Sequence, residues 1–186
     1  MATAVLEQLL ARSSMPRLAA PAPDDMQLDQ VLRAGLLAPD HAYLRPTRLH
    51  VVTEDGLVRL GDLFARAFLD SDPDATEKAL DKARGKPLRA PMIIVACCHP
   101  SEHDKVPAIE QIASTAACVS LMQTALDSLG YGSMWRTGPM AYHPLVREQF
   151  GLTDQDHLLA FLYVGTAKGK PRVREQKQLD DYCRRF

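Results

Sequence analysis

No apolar run in this 186-residue chain approaches the length of a membrane span. The N-terminus, Met1 to Arg12, has neither a basic start nor a continuous apolar core, so it reads as an amphipathic helix and not as a signal peptide. An excess of one charge is also missing. A net charge of −1 gives no field that would gather nucleic acid or an anionic membrane. There are only four cysteines: Cys97 and Cys98 are adjacent, Cys118 falls mid-helix and Cys183 lies near the end. That is no disulfide framework, and it suits a reducing cytoplasm. Cys97, Cys98, His99 and His103 lack paired-ligand spacing, and neighbouring strand residues face opposite ways, so no metal site is expected. Three enzyme signatures are absent. There is no early strand leading into Gly-x-Gly-x-x-Gly, no P-loop and no Gly-x-Ser-x-Gly elbow. Internal repeats and low-complexity segments are missing too.

What is present is an interleaved series of helices and strands over residues 1–186, long enough for a single domain with a real core. The spacing predicts a helix over 4–11 and a second from an Asp24 or Asp25 cap to about Leu37. A strand follows over Arg48 to Thr53, then a helix over 57–69 and a short charged helix over 74–84 with Pro73 in its first turn. Met92 to Cys98 reads as a strand covered on both faces. The longest helix runs from Val106 to Leu129. Its small residues, among them Ala113, Ser114, Ala117, Cys118 and Ser120, place it in the core or in a tight subunit interface. A strand over 133–137, a helix over 143–150 and a last strand over 157–164 complete the pattern, which is α/β or α+β. From about Lys168 the chain becomes a polar arm.

The segment Gly130-Tyr-Gly-Ser-Met-Trp-Arg-Thr-Gly138 holds the only tryptophan. Gly130 and Gly132 can take positive φ and stop a helix, and Gly138 lets the backbone come close to something. The segment suits a flat, polar-edged ligand, although taken alone it reads first as an ordinary helix-to-strand turn.

Several pieces in order resemble the nitroreductase family of FMN-dependent oxidoreductases, in particular its short bacterial subgroup. They include Arg12-Ser13-Ser14, Arg17-Leu18, Leu32-Arg33-Ala34-Gly35 and Ala38-Pro39-Asp40-His41. Further on come Arg89-Ala90-Pro91, Glu110-Gln111, Trp135-Arg136-Thr137-Gly138 and Phe161-Leu162-Tyr163-Val164-Gly165-Thr166. The resemblance implies an α+β fold with a mixed central sheet flanked by helices, in an intertwined homodimer. It implies one FMN in each of two interface clefts built by both subunits. It also implies ping-pong electron transfer: NAD(P)H delivers a hydride to flavin N5, and a nitroaromatic, quinone or similar small acceptor then takes the electrons. No catalytic side chain is expected, because the hard chemistry belongs to the cofactor. A flavin-storage protein with little turnover, or a dimeric module without FMN, are the other readings.

The resemblance assigns Arg12, Ser13 and Ser14 to the phosphate or ribityl chain. Arg12 is otherwise a cation at a helix C-terminus. It assigns Trp135, Arg136 and Thr137 to the flavin ring, where Trp135 is otherwise core packing. Leu37 and His41 correspond to positions that the partner subunit contributes; His41 is otherwise a surface or capping residue. Lys105 and Glu110 lie near the cleft mouth in the resemblance, or Glu110 serves the helix dipole. Lys168, Lys170 and Arg172 either reach the phosphate or form a solvated tail. Two departures stand out. The family's Arg-Arg-Ser-x-Arg becomes Arg12-Ser13-Ser14 with a later Arg17. Its Asn-x-Gln-Pro-Trp becomes Tyr43-Leu44-Arg45-Pro46-Thr47, in which Arg45 can supply a charge.

Overall fold

The computed structural model describes residues 4–171 and 177–186. The apolar spacing at the N-terminus forms α1 (Ala4–Ala11). After the two-residue β1 (Leu18–Ala19), Asp24 caps α2 (Asp25–Leu36) in a reciprocal box: its carboxylate accepts from Gln27 N at 2.8 Å, and Gln27 accepts from Asp24 N at 3.2 Å. β2 (Thr47–Thr53), α3 (Asp55–Ser71), α4 (Glu77–Arg84) and β3 (Met92–Cys98) follow. The chain continues through α5 (Ala108–Ser128), β4 (Gly132–Arg136), α6 (Pro144–Gln149) and β5 (His157–Ala167).

β5 is the hub of the five-stranded sheet. It pairs with β3, β4 and β1, and β3 pairs in turn with β2 at the far side. The resemblance implies a mixed sheet, but every pairing among the described residues is antiparallel. Alternation along β3 divides the core in two. Ile93, Val95 and Cys97 pack with Leu60, Phe64 and Ala67 of α3 and Val146 of α6. Met92, Ile94 and Ala96 pack with Val31 of α2 and Val119, Met122 and Leu126 of α5. The register slips between Ala96↔Ala160 and Cys97↔Leu158, so Leu159 is bulged out of the ladder. That slip lets Leu158 and Ala160 serve opposite layers despite their equal parity.

Several boundaries differ from the sequence reading. α4 begins at Glu77, not 74, because the Thr76 hydroxyl caps it by accepting from Ala79 N at 3.4 Å; Pro73 therefore lies outside the helix. β5 runs three residues beyond Val164, through Gly165, because β1 pairs with its end at Ala167 and Thr166. Gly130 does end α5, at φ 82. Gly132 instead sits in β4, where an added Cβ would lie 2.9 Å from Leu18 Cδ2 and 3.1 Å from Met15 Cβ, so close packing selects glycine there.

The sheet end near β2 carries an ion pair, His99 Nδ1 to Asp156 Oδ1 at 3.2 Å. Burial alone raises the Asp156 carboxyl, but the backbone N–H and hydroxyl of Thr153, donating at 2.6 and 2.7 Å, together with His99 and Arg147, hold it below its ordinary 3.8. The charged form is thus the stabilising one. Its contribution is full above pH 3.8 and fades as pH falls from there through the lower native value. Asp156→Asn is expected to lower stability at neutral pH by about 1–3 kcal/mol. It should also flatten the acid limb of a plot of Tm against pH. Equal acid limbs in variant and parent would refute this assignment.

Candidate functional site

The last turn of α1 ends with Arg12 N donating to Gln8 O at 2.9 Å. The chain then runs extended, and Met15 N donates to Ser133 O at 2.9 Å. This one bond lays the Arg12-Ser13-Ser14 segment along β4. Ser13 is buried, at 9% exposure, and Ser14 is half-buried. Lys168 N donates to Arg17 O at 3.0 Å, which brings the end of β5 to the same corner. Ser133 Oγ in turn accepts from Gln123 Nε2 of α5 at 3.3 Å.

Among the described residues β4 pairs only with β5, which leaves its other edge without a partner strand. The N–H and C=O of a strand residue point to the same edge, and alternate residues repeat that direction. Because the Ser133 carbonyl meets Met15 on the open side, the main-chain groups of Trp135 point the same way. Trp135 is half-buried against the α5 layer, and its indole Nε1–H donates to the bulged Leu159 carbonyl at 2.8 Å. Both uses foreseen for this residue are therefore compatible: its side chain is core, while its backbone edge is free. Arg136 extends over the Tyr163 ring, 5.4 Å from guanidinium carbon to centroid, and its buried Nε has no hydrogen-bond partner among the described residues. Burial pushes the Tyr163 phenol up, against the opposing pull of Arg136 and Arg89. Thr137 is exposed, and Gly138 sits at φ 87 with nothing within 4 Å of a built Cβ. A backbone angle, not a close approach within this chain, accounts for that glycine.

Leu37 and His41 lie elsewhere. Leu37 is the C-cap of α2 and is 81% exposed. His41 Nδ1 meets Glu110 Oε2 at 2.7 Å, so Glu110 is the partner of His41 at the start of α5. One group is thus tied to Glu110 and the other to Gln123. Thirteen residues of a single helix separate these anchors, roughly 20 Å along its axis at 1.5 Å per residue. Within one chain the assigned residues fall into two separate groups. Of the basic tail, Lys168 and Lys170 are exposed, and Arg172 lies outside the described residues.

The loop between α2 and β2 is unusual. Ala42, Tyr43 and Arg45 hold φ of 62, 54 and 53. Such left-handed conformations cost a non-glycine residue roughly 1–2 kcal/mol each. Asp40 Oδ2 accepts from Arg45 N at 2.7 Å, and the Arg48 guanidinium donates to the carbonyls of Arg45 and Thr47 at 2.8 and 2.9 Å. These bonds fix the loop.

Nucleophilic chemistry has no support in the core thiols. Burial pushes Cys97 up to about 12 and Cys118 to about 11, so both are protonated at neutral pH. Sequence reasoning missed Gln123, Leu159 and the side-chain role of Tyr163. No motif marks a buried glutamine or a bulge; the register of β3 against β5 reveals the bulge, and the packing of α5 on β4 the glutamine.

An antiparallel sheet covered on both faces, with an open strand edge beside an Arg-Ser-Ser segment, suits a flat ligand that carries an anionic group. The model of the family described as the Nitroreductase family matches residues 9–166, and the chain belongs to this family of oxidoreductases. It is 41% identical over 165 residues to "Putative NAD(P)H nitroreductase YdjA" of Escherichia coli K12, covering 89% of each chain. The fold is similar to that of a nitroreductase-like family protein from Bacillus cereus, with TM-score 0.85 and 21% identity over 100% of this chain and 97% of that one. It is also similar to a "putative nitroreductase in complex with FMN" from Desulfovibrio desulfuricans, with TM-score 0.76 and 18% identity over 100% and 99%.

Proposed function

We propose that this chain is an FMN-dependent NAD(P)H oxidoreductase that works as a homodimer in the cytoplasm and reduces a nitroaromatic, quinone or similar small acceptor. The observation that carries the reading is the split of the assigned residues along α5. A second copy that lends its Leu37 and His41 to the Arg12 and β4 corner completes one site and, by symmetry, the other. The apolar surface supports the same arrangement. α1 buries none of its residues, with Val5 at 63% and Leu10 at 74% exposure, and Leu37 and Ile109 are also open. Exposed apolar side chains in such number favour a partner surface. α5 contributes exposed small residues, Ala113 and Ser120, which permit close helix approach.

The residues at the corner fit FMN. Arg12 with Ser13 and Ser14 offers a charged fork and hydroxyls to a phosphate. The open edge of β4 at Trp135 offers a backbone donor and acceptor to the polar rim of a flat ring, and the buried Nε of Arg136 is a donor that meets no acceptor among the described residues. When bound, FMN supplies a two-electron carrier between nicotinamide donor and acceptor. The protein's task is then to hold, orient and charge-balance that group, a task that requires no nucleophile. Three buried thiols in the core are at home in a reducing compartment.

The test is an anaerobic visible spectrum of FMN-loaded, desalted protein before and after NADH or NADPH, with the FMN-to-protomer ratio and the mass in solution. Retained flavin near one per protomer, a dimeric mass and bleaching by nicotinamide are expected. A monomer that retains no flavin would refute the proposal.

A further inference from the structure

A cavity of about 450 Å³ opens at the C-terminal end of α2, lined by Gly35, Asp40, Arg45, Thr47, Arg48 and Ser114 among others. Most of its polar groups are already engaged. Asp40 accepts the Arg45 backbone N–H, Arg48 is turned back onto two loop carbonyls, and Thr47 Oγ1 meets Thr115 Oγ1 at 2.9 Å. The Arg45 guanidinium differs. Among the described residues no hydrogen bond or ion pair engages it, and the side chain is exposed at the cavity wall. Its backbone is held at φ 53, although it precedes Pro46, which ordinarily favours an extended conformation. A loop that merely joined α2 to β2 would place glycine or asparagine there at less strain. The bonds from Asp40 and Arg48 keep the arginine in that conformation. Two arginines against one carboxylate also leave the cavity net positive.

We propose that Arg45 is an anion receptor for a reactant: it takes an oxyanion carried either by the electron acceptor, as a carboxylate, or by the nicotinamide donor, as the 2′-phosphate that NADPH has and NADH lacks. This inference rests on the dimeric flavin reading, in which the loop after α2 of one copy stands beside β4 of the other. A planar guanidinium fork pairs bidentately with such oxyanions, and a carboxylate-bearing aromatic is of a size the cavity admits.

The experiment compares FMN-loaded parent, Arg45→Gln and Arg45→Lys on para-nitrobenzoate and its uncharged amide, para-nitrobenzamide, with NADH and NADPH in turn. FMN affinity is measured separately for each protein. If the acceptor carries the anion, the ratio of kcat/KM for benzoate over amide falls about tenfold to hundredfold in Arg45→Gln and recovers in part in Arg45→Lys. If the donor carries it, the NADPH-over-NADH ratio falls by a similar factor while the acceptor ratio holds. Equal ratios in parent and Arg45→Gln would overturn the proposal and leave the flavin reading standing. So would a loss confined to FMN affinity, which would give Arg45 to the cofactor instead. A parent protein that neither retains FMN nor oxidises nicotinamide would overturn both.

Discussion

An Arg12→Ala variant is expected to release FMN on desalting, with its affinity about 100-fold weaker than the parent's. A guanidinium paired bidentately with a phosphate makes two charge-assisted bonds, each worth about 1.5–3 kcal/mol, so the lower bound for the pair already reaches two orders of magnitude. The fold should survive, because Arg12 is only half-buried and lies just beyond α1, a helix that contributes no buried residue to the core. Thermal melts of the FMN-free proteins check that directly. Ser14→Ala, which removes a single hydroxyl, should weaken FMN by about tenfold at most. An Arg12→Ala protein that holds FMN as tightly as the parent would return Arg12 to the role of a helix-terminal cation.

Phe161→Ala is expected to cost about 3–5 kcal/mol of stability. Phe161 is 2% exposed, packs edge-on against Phe64 at 5.2 Å between centroids with planes at 79°, and sits on β5 between Val95 and Arg136. Its removal opens a void in the α3 layer and takes away one wall beneath the β4 corner. Denaturant titration of parent and variant at equal protein concentration measures the loss, and Phe161→Leu should recover most of it. A cost below about 1 kcal/mol would mean that the layer collapses freely onto α3.

The elements that repeat a pattern were legible in the sequence. β3 matches its expected span of Met92 to Cys98, because a fully covered strand leaves a continuous apolar run. α5 and α2 differ from expectation by one or two residues, since periodicity fixes a helix interior better than its ends. β1 was not legible: two residues carry no period, and its existence depends on Thr166 and Ala167, nearly 150 positions away. The same holds for the candidate site. Resemblance singled out two segments, Arg12 to Ser14 and Trp135 to Thr137, and the bond between Met15 and Ser133 brings them side by side. Resemblance alone did not reveal that Glu110 is the partner of His41, or that Leu159 is bulged to receive the indole of Trp135. Both are long-range contacts chosen by packing.

That indole has an optical consequence. Trp135 is the only tryptophan in the chain, so emission excited at wavelengths that spare the tyrosines comes from one half-buried ring on β4, anchored to a single carbonyl. No second fluorophore of its kind dilutes the signal. If FMN binds beside β4 as proposed, titration with FMN is expected to quench this ring, and a red shift during denaturation is expected as the indole loses the Leu159 carbonyl. The protein carries its own probe, built into the strand under question.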